Sequence, residues 1–184
     1  MNILDTYIEG IKNSYIKINK VEDWNNFANN RSKITESDIE KLNSKNVPKT
    51  LIDFYKYANG TDDISFIILG SDIDRLGYFL ENVDELLSPN RFSNDFFIKM
   101  HDKNKVSIDK KIIPLNANNY WLHFANSEDN GRTSELYIDL LPSRYGTVGQ
   151  IINYNLETEE FKVIAPSFQE YLNLLISKNY NYIK

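Results

Sequence analysis

Three short apolar runs separated by turn-forming residues constrain this chain more than any other feature. The runs lie within residues 121–126, 136–142 and 146–154, and a polar loop separates the first two. Short apolar segments that alternate with turns are typical of an antiparallel meander. None of the runs carries a reactive constellation of side chains, so this part of the chain favours a binding module over an enzyme.

The composition limits the classes of protein that the chain can belong to. Its 184 residues suffice for one compact domain, expected to span residues 1–184, and the absence of Cys excludes disulfides and thiolate metal sites. The formal net charge of −5 disfavours a general nucleic-acid binder and permits a basic partner. No apolar run approaches the ~18 residues of a membrane span, and no secretory signal is recognised. These features predict a cytoplasmic protein without membrane or nucleic-acid partners.

Periodicity and turn chemistry predict the elements outside the meander. Helical spacing of apolar residues predicts a helix over 3–18, and the 19–34 segment is expected to be an irregular link anchored by Trp24 and Phe27. Thr35 and Asp38 resemble a capping box at the start of a helix that runs to Leu42. The other expected elements are a helix from Pro48 ended by a left-handed cap at Asn59 and Gly60, a strand over 65–69, helices over 78–87 and 91–100, an exposed loop over 102–111, an edge strand over 112–115 and a closing helix after Phe168.

A set of short motifs in a fixed order carries a resemblance to a known family. The motifs are Val47, Pro48 and Leu51 with Phe54 and Tyr55; Asn59 and Gly60; Ile113, Pro114 and Leu115; Trp121 and Leu122 with Phe124 and Ala125; Tyr137, Ile138, Asp139, Leu140 and Pro142; Gly146, Gly149, Gln150, Ile151 and Ile152; and Ala165, Ser167, Phe168, Tyr171 and Leu172. In this order they resemble the SUKH superfamily, over a core of about residues 35–176. Two departures are His123, where the family's pattern has Pro, and a 71–111 segment longer than the usual connection.

The resemblance implies both a fold and a role. The fold is α+β, with a mostly antiparallel sheet of about five or six strands flanked by N-terminal helices and a C-terminal helix. The role is non-catalytic, because bacterial members commonly neutralise a toxin encoded beside them by direct binding. The alternative role is a regulatory scaffold in cell-wall synthesis or signalling, as in the fungal members.

Clustered carboxylates are the candidate partner-binding residues. A negative patch would steer a basic, nuclease-like toxin and occupy its phosphate-binding surface, because complementary potentials raise association rates. The alternative is a solvated acidic surface that only aids solubility. The candidate residues are Asp62, Asp63, Asp72, Asp74, Glu81, Asp84, Glu85, Glu128, Asp129 and Glu135.

Catalytic, metal and cofactor sites have little support in the sequence. The two histidines, His101 and His123, have no neighbouring ligand at metal-binding spacing, so we expect no metal and no cofactor. Asp139 alternates with apolar residues in a strand, and we expect it to bond backbone N–H groups near Gly146. Pro114 limits pairing at the expected edge strand, which predicts a monomer or a weak dimer.

Overall fold

The structure is a computed structural model that describes most of the chain. The described residues are 2–61, 66–71, 76–89, 92, 96–97, 106–129 and 132–184, with Glu128, Asp129 and Arg132 described by their backbone alone. Of the sequence predictions, the helix over 91–100 and the first part of the 102–111 loop lie mainly outside these residues.

Seven α-helices and a 3-10 turn lie within the described residues. They are α1 (Ile3–Lys17), α2 (Val21–Asn30), α3 (Glu36–Ser44), α4 (Lys49–Tyr57), α5 (Val83–Leu87), the 3-10 turn (Pro114–Asn116), α6 (Ala117–Tyr120) and α7 (Phe168–Ser177). Local capping chemistry sets several of their starts. The Thr35 side chain accepts a hydrogen bond from the Asp38 N–H at 3.2 Å, and Asp38 Oδ2 accepts from the Thr35 N–H at 3.0 Å. The predicted capping box is therefore confirmed.

Two helix predictions need correction. Residues 21–30 form α2 instead of an irregular link, because Trp24 and Phe27 lie three residues apart on one face and both are buried. Helix α4 ends at Tyr57, before the expected cap. Its C-cap residue, Ala58, is extended, and the left-handed conformation appears later, at Gly60 with φ of +88°.

The described residues form a seven-stranded sheet in the order β1-β2-β4-β5-β6-β7-β3. The strands are β1 (Leu69–Gly70), β2 (Gly77–Leu80), β3 (Ser107–Ile108), β4 (Trp121–Asp129), β5 (Arg132–Asp139), β6 (Gln150–Asn155) and β7 (Glu160–Ala165). All neighbours are antiparallel except β3 and β7, which are parallel. The α+β class and the antiparallel meander are confirmed.

Three predicted elements differ from the observed strands. Of the predicted strand over 65–69, the described residues 66–68 lie outside any strand, and β1 begins at Leu69. The predicted helix over 78–87 is split into β2 and α5, because the β2 backbone pairs with β4 and overrides local helical spacing. The predicted edge strand over 112–115 is a loop and a 3-10 turn, in which Pro114 takes the first position, where it needs no N–H partner.

The sheet is buried on both faces, and strand alternation assigns side chains to two cores. On β5, Leu136 and Ile138 join a large core with α1, α4 and α7, while Tyr137 faces a second, aromatic core. The second core also contains Phe92, Trp121, Ile112, Ile152, Tyr154 and Phe161. Phe92 and Ile112, from the connection between β2 and β4, therefore cover the face that carries Tyr137. Helices α1, α4 and α7 cover the face that carries Leu136 and Ile138.

Buried tyrosines fasten the C-terminal residues to the helical layer. The Tyr7 hydroxyl lies 2.7 Å from both the Ile68 carbonyl and the Tyr182 hydroxyl, and all three residues are buried. Gly10 and Gly70 allow this packing, because a Cβ at either position would overlap the Tyr180 or Tyr182 ring. Burial raises the pKa of the Tyr7 and Tyr182 hydroxyls well above the ordinary value near 10.

We predict that the protein loses stability in alkali through these tyrosines. Their raised pKa makes their contribution fully present below pH ~10, where unfolded tyrosine begins to ionise, and lost as the pH rises through the folded-state pKa. Tyr7→Phe should flatten the fall in unfolding free energy above pH ~10 and cost about 1 kcal/mol at neutral pH. Urea titrations across this range measure both effects. Tyr120 is exposed, so Tyr120→Phe is the control. If the unfolding free energy of Tyr7→Phe falls with pH as steeply as that of the wild type, the prediction is contradicted.

Candidate partner-binding site

A β-bulge in β4 creates the polar cluster at the centre of the candidate site. The pairing with β5 shifts between His123 and Ala125, so that His123 lies opposite Tyr137 and Asn126 lies opposite Glu135. The extra residue, Phe124, changes the alternation of side chains along the strand. His123 and Asn126 consequently share one face of the sheet although they are three residues apart.

Glu81 joins this cluster from the end of β2. Its backbone N–H donates to the Phe124 carbonyl at 2.9 Å, which extends the pairing of β2 with β4 at the bulge. The Asn126 Nδ2 group donates to Glu81 Oε1, and His123 Nδ1 lies 4.0 Å from the same oxygen. The Glu81 side chain is only 13% exposed, so this carboxylate is held by the sheet rather than projected into water.

Glu135 enters the cluster from the neighbouring strand β5. Its Oε2 atom accepts a hydrogen bond from the Tyr137 hydroxyl on the same face. The Tyr137 ring lies 5.0 Å from the His123 ring, centroid to centroid. We call these five residues the sheet cluster: Glu81, His123, Asn126, Glu135 and Tyr137.

Helix α5 presents two exposed carboxylates directly after Glu81. Asn82 caps the helix by accepting a hydrogen bond from the Glu85 N–H at 3.0 Å. Asp84 and Glu85 occupy its first turn and are exposed, and the helix packs against β4. Negative side chains in the first turn are stabilised by the unpaired N–H groups of the helix. The short helix therefore holds two negative charges on a rigid support beside the sheet cluster.

The structure describes part of the predicted acidic patch. It brings Glu81 and Glu135 together in the sheet cluster and places Asp84 and Glu85 on the adjoining helix. Glu128 and Asp129 are at the end of β4, and only their backbone is described. The predicted residues Asp62, Asp63, Asp72 and Asp74, like His101, lie outside the described residues.

The sheet cluster is a set of hydrogen-bonded polar side chains. Its members pair donors with acceptors, and in the part of the chain that the structure describes no group of three or more His, Asp or Glu side chains is arranged to hold a metal ion. His123, Asn126 and Tyr137 were not among the predicted site residues. The Asn126–Glu81 contact joins positions 45 residues apart, and the bulge that aligns it leaves no local sequence signal.

Asp139 organises the opposite end of β5. It is fully buried, and its carboxylate accepts from the Leu141 N–H at 3.0 Å and from Gln150 Nε2 at 2.9 Å. Gln150 also bonds the Lys111 carbonyl and the Thr147 N–H. The prediction of a bonded backbone N–H is confirmed, but its position is wrong: the N–H belongs to Leu141, and Gln150 makes the link toward the Gly146 turn. Burial raises the pKa of Asp139, and both hydrogen bonds oppose that rise.

These features define an α+β fold with a hydrogen-bonded polar cluster on its sheet. No described helix is long and apolar enough to cross a membrane. The sequence model of the SMI1 / KNR4 family (SUKH-1) matches residues 33–174, most of the chain. The chain belongs to this family, and the predicted SUKH resemblance is confirmed. No individual curated protein shows significant similarity to the chain. Members of the SUKH family are generally non-catalytic immunity or regulatory proteins.

We predict that Asn126→Asp destabilises the protein. The substitution keeps the side-chain shape but replaces an amide donor with a carboxylate that faces Glu81 Oε1. Loss of the donor and repulsion between carboxylates should cost about 1–3 kcal/mol in the free energy of unfolding at neutral pH. Asn155→Asp is the matched control, because Asn155 acts as an acceptor for the Glu157 and Thr158 N–H groups, a role that Asp retains. Equal urea midpoints for the two variants would contradict the assigned contact.

We predict a second loss for Asp139→Asn. The new amide either turns its donor toward Gln150 Nε2 or forces Gln150 to give up the Lys111 carbonyl, at a cost of about 1–3 kcal/mol. Asp109→Asn is the control: Asp109 accepts from the N–H two residues ahead, as Asp139 does, and Asn can also accept there. Thermal unfolding measures the difference, and an unchanged melting temperature in Asp139→Asn would show that the Gln150 bond is not stabilising.

Proposed function

We propose that the chain is a cytoplasmic immunity protein that binds a cognate bacterial toxin and neutralises it by direct, stoichiometric association. Family membership supports this proposal, since SUKH immunity proteins bind toxins in general. The proposed inhibition is steric: the bound protein covers the active site of the toxin or occupies its substrate groove. Such inhibition needs a preformed surface and no chemical step.

The observation that carries the proposal is that two exposed carboxylates lie on a helix that packs against the sheet. Asp84 and Glu85 are exposed on α5, and Glu81 directly after β2 and Glu135 on β5 are held by hydrogen bonds on either side of β4. Charged groups held on regular elements lose little conformational freedom when a partner binds. We propose that this face, extended by Asp62, Asp63, Asp72, Asp74, Glu128 and Asp129, meets a basic toxin.

A basic nuclease is the partner class that this charge pattern favours. A nuclease needs a positive groove for the phosphate backbone of its substrate, and an acidic protein surface competes for that groove. Long-range attraction then accelerates association, and the buried contacts at the centre determine how long the complex lasts.

The alternative function is a regulatory scaffold that binds several partners in cell-wall synthesis or signalling. Gene neighbourhood discriminates between the two functions. A neighbouring gene for a large secreted protein with a toxin-like C-terminal domain supports immunity. A neighbourhood of cell-wall or signalling genes supports the scaffold.

We predict that reversing the two exposed charges weakens toxin binding. The double variant Asp84→Lys, Glu85→Lys should lower affinity for the neighbouring toxin domain about tenfold or more, mainly through a slower association rate. Calorimetry and stopped-flow mixing at low and high salt measure the affinity and the rate. The wild-type association rate should fall as salt increases, and the rate of the variant should change less.

The control is the double variant Glu22→Lys, Asp23→Lys. These carboxylates occupy the same two positions in the first turn of α2, and both are exposed. Any cost of reversing charges at a helix start is therefore shared by the two double variants. Equal affinities for the toxin domain in both would exclude the acidic face as the binding surface.

A further inference from the structure

Exposed apolar side chains are concentrated at one end of the molecule. Among the described residues, seven large hydrophobic side chains are exposed, and five of them come from the segments that precede β4 and follow β5. They are Leu115, Tyr120, Leu141, Tyr145 and Val148, and Val148 is the most exposed at 64%. Grouped apolar exposure of this kind marks interaction surfaces more often than scattered single residues do.

Contacts between the loops make these side chains one surface. Asn116 Nδ2 donates to the Leu141 carbonyl at 2.7 Å, and the Leu140 N–H donates to the Tyr120 carbonyl at 2.8 Å. The Ser143 hydroxyl donates to the Lys110 carbonyl at 2.7 Å, which ties the 140–150 loop to the segment before α6. The surface is therefore fixed by hydrogen bonds across several loops.

A cavity of about 270 Å³ opens in this surface. Tyr120, Leu122, Leu140 and Val148 line it with apolar groups, and Ser44, Lys45, Asn46 and Asn119 add polar ones. Its volume is close to the lower end of the range of about 300–1,000 Å³ that is usual for small-molecule sites. An apolar side chain of a protein partner also fits a pocket of this kind, as in the anchor pockets of protein interfaces.

The charged side chains at the cavity and on the neighbouring loops are mostly positive, in a chain whose net charge is −5. Lys45 lines the cavity, and the loops that carry the exposed apolar residues add Lys110, Lys111 and Arg144. Lys49 is paired with Asp53 at 2.6 Å and does not contribute to this set. The Tyr145 ring lies 4.7 Å from Arg144 Cζ and 5.6 Å from Lys110 Nζ, so it supports two of the cations through its π face.

This surface is distinct from the acidic face of the proposed function. Leu122 lines the cavity and belongs to the large core on the helix-covered face of the sheet, whereas Tyr137 and the opposing His123 of the sheet cluster lie on the other face. The two surfaces also differ in charge sign, so they select partners of opposite charge.

We propose that this end of the molecule is a second docking surface, which binds an acidic protein segment and takes one of its apolar side chains into the cavity. Carboxylates of the partner pair with the lysine and arginine rim, and exposed Tyr and Val side chains are covered. A protein is favoured over a nucleic acid or a lipid surface because the cavity accepts one side chain, whereas phosphate groups would use only the cations.

The test uses synthetic peptides and does not require the toxin. The probe is a capped peptide with one Leu flanked by Glu residues, compared with the same peptide carrying Gln or Lys in place of Glu. Methyl NMR of the full chain follows Leu115, Leu140 and Val148 during titration. We expect the Glu peptide to shift these methyls with an affinity about tenfold above that of the Gln peptide, and the Lys peptide to leave them unshifted.

Two variants separate the cavity from the rim. Val148→Asp should abolish the shifts, and Arg144→Glu should reduce affinity about tenfold and remove most of its salt dependence. Val21→Asp is the matched control, because Val21 is exposed at the first turn of α2, away from the cavity. Lys12→Glu on the exposed face of α1 controls for net charge. Amide spectra confirm that each variant is folded.

Several outcomes would overturn the proposal. The first is an absence of shifts up to about 1 mM Glu peptide, and the second is equal affinity for the Glu and Gln peptides. The third is a set of shifts produced equally by anionic vesicles or by a single-stranded oligonucleotide, which would show that the rim selects negative charge without a protein anchor. Since toxin binding is measured at the acidic face, either proposal can fail while the other stands.

Discussion

The fold depends on a β4–β5 hairpin that is buried on both faces. A strand whose two faces are both covered needs apolar residues in both alternating sets, and β5 has them in Leu136 and Ile138 on one side and Tyr137 on the other. Helices α1, α4 and α7 cover the first face, and Phe92, Phe97 and Ile112 pack on the second. Side chains beyond the edges of these packed layers remain accessible to partners.

The two candidate surfaces are built on different parts of this hairpin, and each has a distinct physical origin. In the middle of the strands the bulge at Phe124 turns His123 and Asn126 to the same face, where Glu81 and Glu135 complete the sheet cluster. At the open end of the hairpin Asp139 and Gln150 hold the loop that carries Tyr145 and Val148. A buried carboxylate is retained there because two hydrogen bonds satisfy it, and so the loop has a defined shape.

The sequence predicts the elements whose signals are local. The Thr35 capping box, the meander from Trp121 onward and the closing helix all follow from short-range patterns, and each is observed. Two of the failures depend on contacts distant in sequence. Strand β2 replaces predicted helix because it pairs with β4, and the bulge that forms the sheet cluster has no local signature. Clustering of carboxylates in the sequence identified the acidic residues. The second docking surface could not be predicted in this way, because the sequence does not show which apolar side chains stay exposed.

We propose that this protein acts by forming a stoichiometric complex with a cognate toxin. The most direct measurement is affinity capture from the native host with the full chain as bait, followed by native mass spectrometry of the eluted complex. The account predicts one dominant partner in a defined stoichiometry, with a toxin-like domain whose activity is lost in the complex. Many substoichiometric partners, or a bound toxin domain that remains fully active, would contradict it.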